Sequence, residues 1–209
     1  YDGEEDRKKW AQKYEAQLEI TRPLEALKKK AEGFDAAKKL AFIQCVGSRD
    51  FRFYPFCSGY CCMHSIKEAI IAHEHEPQTT STIFGMDIRA VGKGFEEYKI
   101  RGGNQSGVRY VRGRVAEIVE GENHNPVVVY EDKSEAFDMV ILATACAPNK
   151  GVAELASVLS IEMNRFGFFQ TDPARPMDCT RPGIFVCGCA HGPMDIPESV
   201  AQASGAASR

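Results

Sequence analysis

Four cysteines hold the densest chemistry in this chain. Cys45 closes the apolar run Ala41-Phe-Ile-Gln-Cys45, and Cys57, Cys61 and Cys62 follow within eighteen residues. Thiolates are nucleophiles and soft metal ligands. Four of them converging on one point meet the requirement of a cubane iron–sulfur cluster. Buried core thiols, a redox pair and a zinc site are the competing readings. The two-residue spacing of zinc ribbons is absent, and adjacent Cys61 and Cys62 are poorly placed to bond each other, because disulfide geometry is restrictive. Spacing alone leaves metal ligation and core packing both open.

The elements that must position these thiols follow from periodicity. Leu40–Val46 reads as a buried parallel strand, since the run is continuously apolar. Residues 60–73 read as a helix. Its N-terminus has free N–H groups and partial positive charge, which would lower thiol pKa values and offset the charge of a thiolate-bound cluster. Ser81–Ile88 is the next strand. Phe95–Ile100 is helical until Gly102-Gly103 breaks it. Val108–Val119 forms one long or two short strands, and Pro126–Tyr130 and Phe137–Ala143 are further strands. This order implies an α/β fold with a Rossmann-like, doubly wound sheet. Residues 1–38 read as a helical arm and linker. Trp10, Tyr14 and Leu18 there form an apolar packing stripe, and Leu24–Ala31 is a second helical stretch.

Several motifs resemble the A-type subunit of heterodisulfide reductase: Phe42-Ile-Gln-Cys45-Val-Gly-Ser-Arg49-Asp50, Cys57-x-x-x-Cys61-Cys62-Met63, Met86-Asp-Ile-Arg89-Ala-x-Gly-Lys-Gly94, Gly183-Ile-Phe-Val-x-Gly188 and Gly192-Pro-x-Asp-Ile-Pro-Glu-Ser-Val-Ala-Gln202. They stand in the same order as in that family and span residues 40–209. The resemblance implies that Cys45, Cys57, Cys61 and Cys62 bind a [4Fe–4S] cluster. It implies an oxidoreductase subunit that passes electrons between FAD and clusters, with flavin-based bifurcation in some members. A lysine usual in the family is replaced by Met194, which leaves the tuning of the flavin, and with it bifurcation, without support.

A nucleotide-binding Rossmann unit shows Gly-x-Gly-x-x-Gly after its first strand. Here Cys45-Val-Gly47-Ser and the cysteine loop stand in that place, so no nicotinamide binding is expected at this turn. Asp138–Thr144 followed by Ala145-Cys146-Ala147-Pro148-Asn149 resembles the return from the inserted domain to the FAD domain in thioredoxin-reductase-like flavoproteins. Gly167–Asp172 is expected as a short strand, Thr180–Gly183 as a turn, Ile184–Gly188 as a strand, and 198–207 as a helix with Pro197 in its first turn. The resemblance implies an FAD site formed by Pro148, Asn149, Gly188, Cys189, Ala190, Pro197, Glu198, Ser199, Val200 and Gln202. Unbonded N–H groups at the helix start would face the reduced flavin. Flavoproteins of this class carry Asp at the position of Cys189. Cys146 reads as a small core residue, and Cys187 and Cys189 as neighbours on one face of a strand, with a second metal site the weaker reading. His64, His73 and His75 read as surface or supporting residues. No residue stands out as a catalytic acid, base or nucleophile.

Composition sets wider bounds. A net charge of −3 gives no electrostatic case for nucleic acid. No apolar stretch approaches the ~20 residues of a bilayer span. Eight cysteines without a signal-like opening favour a reducing cytoplasm and metal ligation over a disulfide framework, and the resemblance implies an anaerobic setting. The absence of an initiator Met and the ending at Ala206-Ala-Ser-Arg209 suggest a fragment of a longer chain. Three parts are expected: the arm (1–38), a Rossmann-like domain with the cysteine site (39–145) and the C-terminal part of an FAD-binding domain (146–209). The resemblance implies partner iron–sulfur subunits in a redox complex and allows a homodimer. Two other classes fit less well. A scaffold with a structural metal would need only the thiols. A pyridine-nucleotide disulfide oxidoreductase would need a glycine fingerprint and a Cys-x-x-Cys pair.

Overall fold

The computed structural model describes residues 37–209, so the arm expected over 1–38 lies outside the described residues except for its last two. Strand β1 (Lys39–Val46) is buried from Leu40 to Cys45. It is flanked by parallel partners on both sides, β2 (Thr80–Gly85) and β7 (Met139–Thr144). A strand with neighbours at both edges and layers on both faces has no wet side, hence its unbroken apolar run. Asp138 pins the start of this pairing: its Oδ2 accepts the N–H groups of Lys38 and Lys39, each at 2.8 Å.

Helix α1 (Cys61–His75) crosses from β1 to β2, and α2 (Phe95–Gln105) crosses from β2 to β3 (Val108–Arg112). The sheet order is β3-β2-β1-β7. The chain thus builds outward on one side of β1 and returns on the other, which makes the β1/β7 boundary the point where strand order reverses. In such sheets, ligands bind beyond the carboxyl ends of the strands at this boundary. The return runs through an antiparallel sheet of β4 (Val115–Glu120), β5 (Pro126–Tyr130) and β6 (Lys133–Ala136). Ala41, Ile43, Phe84, Val128, Tyr130 and Phe137 form the core between the two sheets. By strand alternation, Phe42 and Ile83 point to the opposite face, where α1 lies. One face of the parallel sheet is therefore covered by helices and the other by strands.

Three expectations change here. The strand expected over 81–88 stops at Gly85, because Asp87 turns away to pair with Arg49. The helix expected to break at Gly102-Gly103 runs through both glycines to Gln105. Gly102 is buried, and a Cβ on it would stand 2.9 Å from Tyr110 Oη and 3.3 Å from Ile70 Cδ1. The glycine thus serves close packing of α2, a gain that outweighs its weak helix propensity. Residues 108–119 form two short strands, the second of the two alternatives, and β6 was unread because Lys-Ser-Glu-Ala is largely exposed and carries no apolar period.

The remainder holds α3 (Val152–Leu159), β8 (Thr171–Asp172), β9 (Arg175–Cys179) and α4 (Ile196–Ala207). Ala156, Ile161, Phe169, Cys179 and Val186 make its own small core. Of the strand expected over 167–172 only Thr171–Asp172 forms, and Ile184–Gly188 is no strand: a single bridge, Asp178 with Phe185, is all that pairs there. Cys187 instead precedes a 3₁₀ turn, Gly188–Ala190, so Cys187 and Cys189 do not share a strand face.

Candidate metal and redox site

The carboxyl end of β1 is where the backbone leaves regular geometry. Register between β1 and β7 shifts between Ile43 and Val46, and Cys45 sits at φ 60°, a conformation costly for a non-glycine residue. Gly47 follows at φ 75° and turns the chain toward the loop. That loop is held by its own backbone: Arg49 N–H donates to Phe56 O at 2.9 Å and Tyr54 N–H to Gly47 O at 3.1 Å. Phe56 anchors it by edge contacts with Phe166 and Phe168. The loop then delivers Cys57 and runs into α1, whose first two residues are Cys61 and Cys62.

The structure brings the four predicted ligands together. Burial pushes the Cys45 thiol up, the Arg49 guanidinium draws it back, and the nearby Cys62 and Cys57 push it up again. Cys61 donates its thiol hydrogen to Cys62. That shared proton holds Cys61 above the ordinary thiol range and draws Cys62 down to about 6. The pair therefore releases its first proton early and its second late. Cys45, Cys61 and Cys62 are buried, and Cys57 is partly so.

Donors surround these sulfurs. Arg49 hydrogen-bonds Cys45 while its guanidinium pairs with Asp87. The backbone N–H of Arg89 donates to Cys62, and that of Gly59 donates to Cys57 Sγ at 3.4 Å. The first turn of α1 carries neither a side-chain cap nor an acidic residue, so its positive end stays open beside the thiols. Ser48, fully buried, has a hydroxyl with no partner among the described residues. A buried polar atom is ordinarily satisfied, so this one points to a group that belongs beside it. Among the described residues no three His, Cys, Asp or Glu side chains are set to hold a single metal ion. A cubane presents four separate iron corners, so its thiolates stand farther apart than the ligands of one ion. The donor set, its N–H partners and the open helix end fit a cluster. Arg49, Asp87, Arg89, Gly59 and Ser48 were missed as site residues, although all five lie inside the motifs that carry the resemblance or within the cysteine loop itself.

The expected flavin residues behave differently. The start of α4 is closed by a capping box: Glu198 N–H donates to Asp195 Oδ1 at 2.8 Å, and Asp195 N–H donates to Glu198 Oε2. The premise of unbonded N–H groups there is corrected, since Pro197 has none and Asp195 takes that of Glu198. Gly188, at φ 64°, donates its N–H to Gln202 Oε1 at 3.1 Å, while Gln202 Nε2 meets His191 Nδ1. Ser199 Oγ donates to Asp195 O, and Asn149 Oδ1 accepts from Gly151 N–H. Val200 is exposed, Ala190 lies in the 3₁₀ turn, and Pro148 packs under Gly167. Cys189 and Pro197 do line a cavity of about 740 Å³, together with Tyr60, Met63, Phe95 and Tyr98. The cavity wall is mainly apolar, whereas the helix end does not offer the anion stabilisation expected of it.

Cys146 also departs from its reading as a core residue. It is only partly buried, its N–H donates to Ser58 Oγ at 2.9 Å, and what burial it has pushes its thiol up. Of the histidines, His64 and His75 are exposed and His73 Nδ1 contacts Thr79 O, as expected of surface and supporting residues.

Sequence comparison decides the kinship. The chain is 46% identical to an A-type CoB–CoM heterodisulfide reductase iron–sulfur subunit of Methanopyrus kandleri, over 82% of this chain and 28% of that protein. It is 38% identical to a protein of Archaeoglobus profundus named as like the A-type heterodisulfide reductase subunit, over 98% of this chain and 28% of that protein. Over most of its length this chain is similar to the A-type subunits of heterodisulfide reductase. It spans about a quarter of the length of these relatives. No protein-family model matches it. Among solved structures, the HOCl-induced flavoprotein disulfide reductase RclA of Escherichia coli is similar at a TM-score of 0.54 and 16% identity, over 79% of this chain and 34% of that one. LpdA of Mycobacterium tuberculosis gives 0.52 at 13% identity, over 82% and 34%. These likenesses establish a Rossmann-like fold shared with such flavoprotein folds. Among the described residues, no helix is long and apolar enough to cross a membrane.

Proposed function

We propose that this stretch of the A-type heterodisulfide reductase family is the electron-relay part of an iron–sulfur flavoprotein oxidoreductase subunit. The observation that carries the reading is the convergence of Cys45, Cys57, Cys61 and Cys62 at the strand-order reversal, with N–H donors aimed at three of the sulfurs. These thiolates would hold a [4Fe–4S] cluster, which supplies one-electron redox chemistry when bound. Arg49, the Arg89 and Gly59 N–H groups and the open end of α1 stabilise negative charge at the sulfurs, and such donors raise a cluster's reduction potential. Burial of Cys45, Cys61 and Cys62 keeps water from the ligands.

FAD belongs to the same proposal, supported by fold likeness to a flavoprotein disulfide reductase. In it, residues 39–145 carry the cluster, and 146–209 contribute to the flavin domain through the cavity wall at Cys189 and Pro197. No step is derived through the flavin, because the capped start of α4 does not match the role expected of it. Partner iron–sulfur subunits follow from the relatives' names as subunits.

The test is Cys61→Ala in the full-length subunit, purified without oxygen. Iron and sulfide should fall by about four each per polypeptide, or by about one iron if the cluster converts to a three-iron form, with loss or change of its broad visible absorption. Unchanged iron and sulfide would overturn the ligand set.

A further inference from the structure

Strand β1 is buried from Leu40 to Cys45, and Gln44 is the one strongly polar side chain in that run. Gln44 is 6% exposed, and its Nε2 donates to Ser65 Oγ at 2.6 Å. Its Oε1 has no hydrogen-bond partner among the described residues. A buried amide with half its groups unbonded costs stability, and an apolar side chain of the same length would fill the space without that cost. Fold stability therefore gives no reason for glutamine here.

Its place gives one. Gln44 immediately precedes Cys45, while Ser65 lies three residues after Cys62 and four after Cys61. Side chains at those separations share a helix face, and all three are buried on α1. The bond thus joins the strand end that carries one thiol to the helix turn that carries two. Both sides need the tie. Register with β2 ends at Ile43, register with β7 is lost between Ile43 and Val46, and Cys45 turns out of strand geometry at φ 60°. The first turn of α1 has no side-chain cap to fix it. Gly85 closes the arrangement from β2: a Cβ on it would stand 3.3 Å from Gln44 Cβ and 3.4 Å from Cγ, so the glycine leaves the room in which the Gln44 side chain lies.

From this geometry we propose that Gln44, acting through Ser65, is a positioning residue for the cluster. The bond sets the separation of the Cys45 thiol from the Cys61 and Cys62 thiols before any iron arrives, so that the site is preformed. This rests on the four-thiol ligand set proposed above, and it involves no proton or electron transfer.

The test compares Gln44→Met, Ser65→Ala and the double variant with wild type in the anaerobic full-length subunit. Methionine is an unbranched, adaptable side chain that can fill the space of glutamine without its amide. Iron release to bathophenanthroline disulfonate should quicken about five- to tenfold in either single variant, and no further in the double variant, because both changes remove the same buried bond. In cluster-free protein, dibromobimane, which bridges neighbouring thiols, should link tryptic peptides 40–49 and 53–67 in wild type and link them less in the variants. Thermal unfolding of cluster-free Gln44→Met should begin at or above the wild-type temperature, since Ser65 can turn its hydroxyl to a carbonyl of its own helix. A side chain that served only the fold would lower that temperature in step with the grip on iron. Wild-type iron release from Gln44→Met overturns the proposal, as do equal bridging in wild type and variant, single effects that multiply in the double variant, or a parallel fall in unfolding temperature. A Cys61→Ala protein that keeps its iron overturns the ligand set instead, and the bimane link then tests the tie without iron. Should Ser65→Ala fail to fold, Gln44→Met decides alone.

Discussion

At the residue scale, the four thiols proposed as ligands are unequal before any cluster is considered. Cys62 receives the Cys61 thiol hydrogen and the Arg89 N–H, whereas Cys45 is dominated by burial. In cluster-free protein the Cys61–Cys62 pair should therefore lose one thiolate as pH falls through about 6. Absorbance at the thiolate band, compared between wild type and Cys62→Ser, measures this directly. The sign follows from the lowered value: the anion is present above it and lost below it, and its contribution to stability fades over the same fall in pH. The Cys61 proton works in the opposite sense at high pH. A difference spectrum flat from pH 5 to pH 8 would contradict the hydrogen-bonded pair.

At the element scale, the two adjacent glycines of α2 make a matched experiment. Alanine is favoured over glycine inside a helix by about 1 kcal/mol. At Gly102 that gain meets Tyr110 Oη at 2.9 Å and Ile70 Cδ1 at 3.3 Å, so Gly102→Ala should destabilise by about 1–3 kcal/mol. At Gly103 the nearest atoms, Tyr110 Cε2 and Val108 O, stand at 3.5 and 3.7 Å, so Gly103→Ala should stabilise by about 0.5–1 kcal/mol. Thermal unfolding of both variants in parallel checks the pair, and a shift in the same direction for both would refute the packing account. Helix ends tell a similar story. The start of α1 is uncapped beside thiols that require positive potential, while the start of α4 is closed by Asp195 and Glu198. Two helices of like sequence promise thus offer different chemistry.

At the scale of the whole described unit, one core joins the parallel sheet to the antiparallel one. Phe84 carries it, 1% exposed and in edge contact with Tyr130 at 4.8 Å and Phe137 at 5.8 Å between ring centres. Phe84→Ala should cost about 3–5 kcal/mol, since a large cavity would open where two layers meet. Because β7 leaves this core to reach the switch point beside β1, the loss should also loosen the Cys45 turn. Chemical denaturation measures the first effect, and faster iron loss to a chelator measures the second. Normal stability would show that the layers are held together elsewhere.

The sequence by itself determined the central strand and the cysteine helix, and it singled out the four thiols at the end of β1, because each is written locally. An unbroken apolar run marks a strand buried on both faces, and three cysteines at a loop-to-helix junction place their thiols through one short segment. It also carried the kinship, since the motifs retain their order. Only the tertiary structure decided that α2 survives two glycines, that α4 caps itself, that 184–188 does not join a sheet, and that the turn at Cys146 is tied to Ser58. The first and last of these depend on partners distant in the chain: Ile70 and Tyr110 for Gly102, and Ser58 for Cys146. Local spacing records which side chains a segment carries; which of them touch is settled by the strand order that folds the ends of β1 and β7 together.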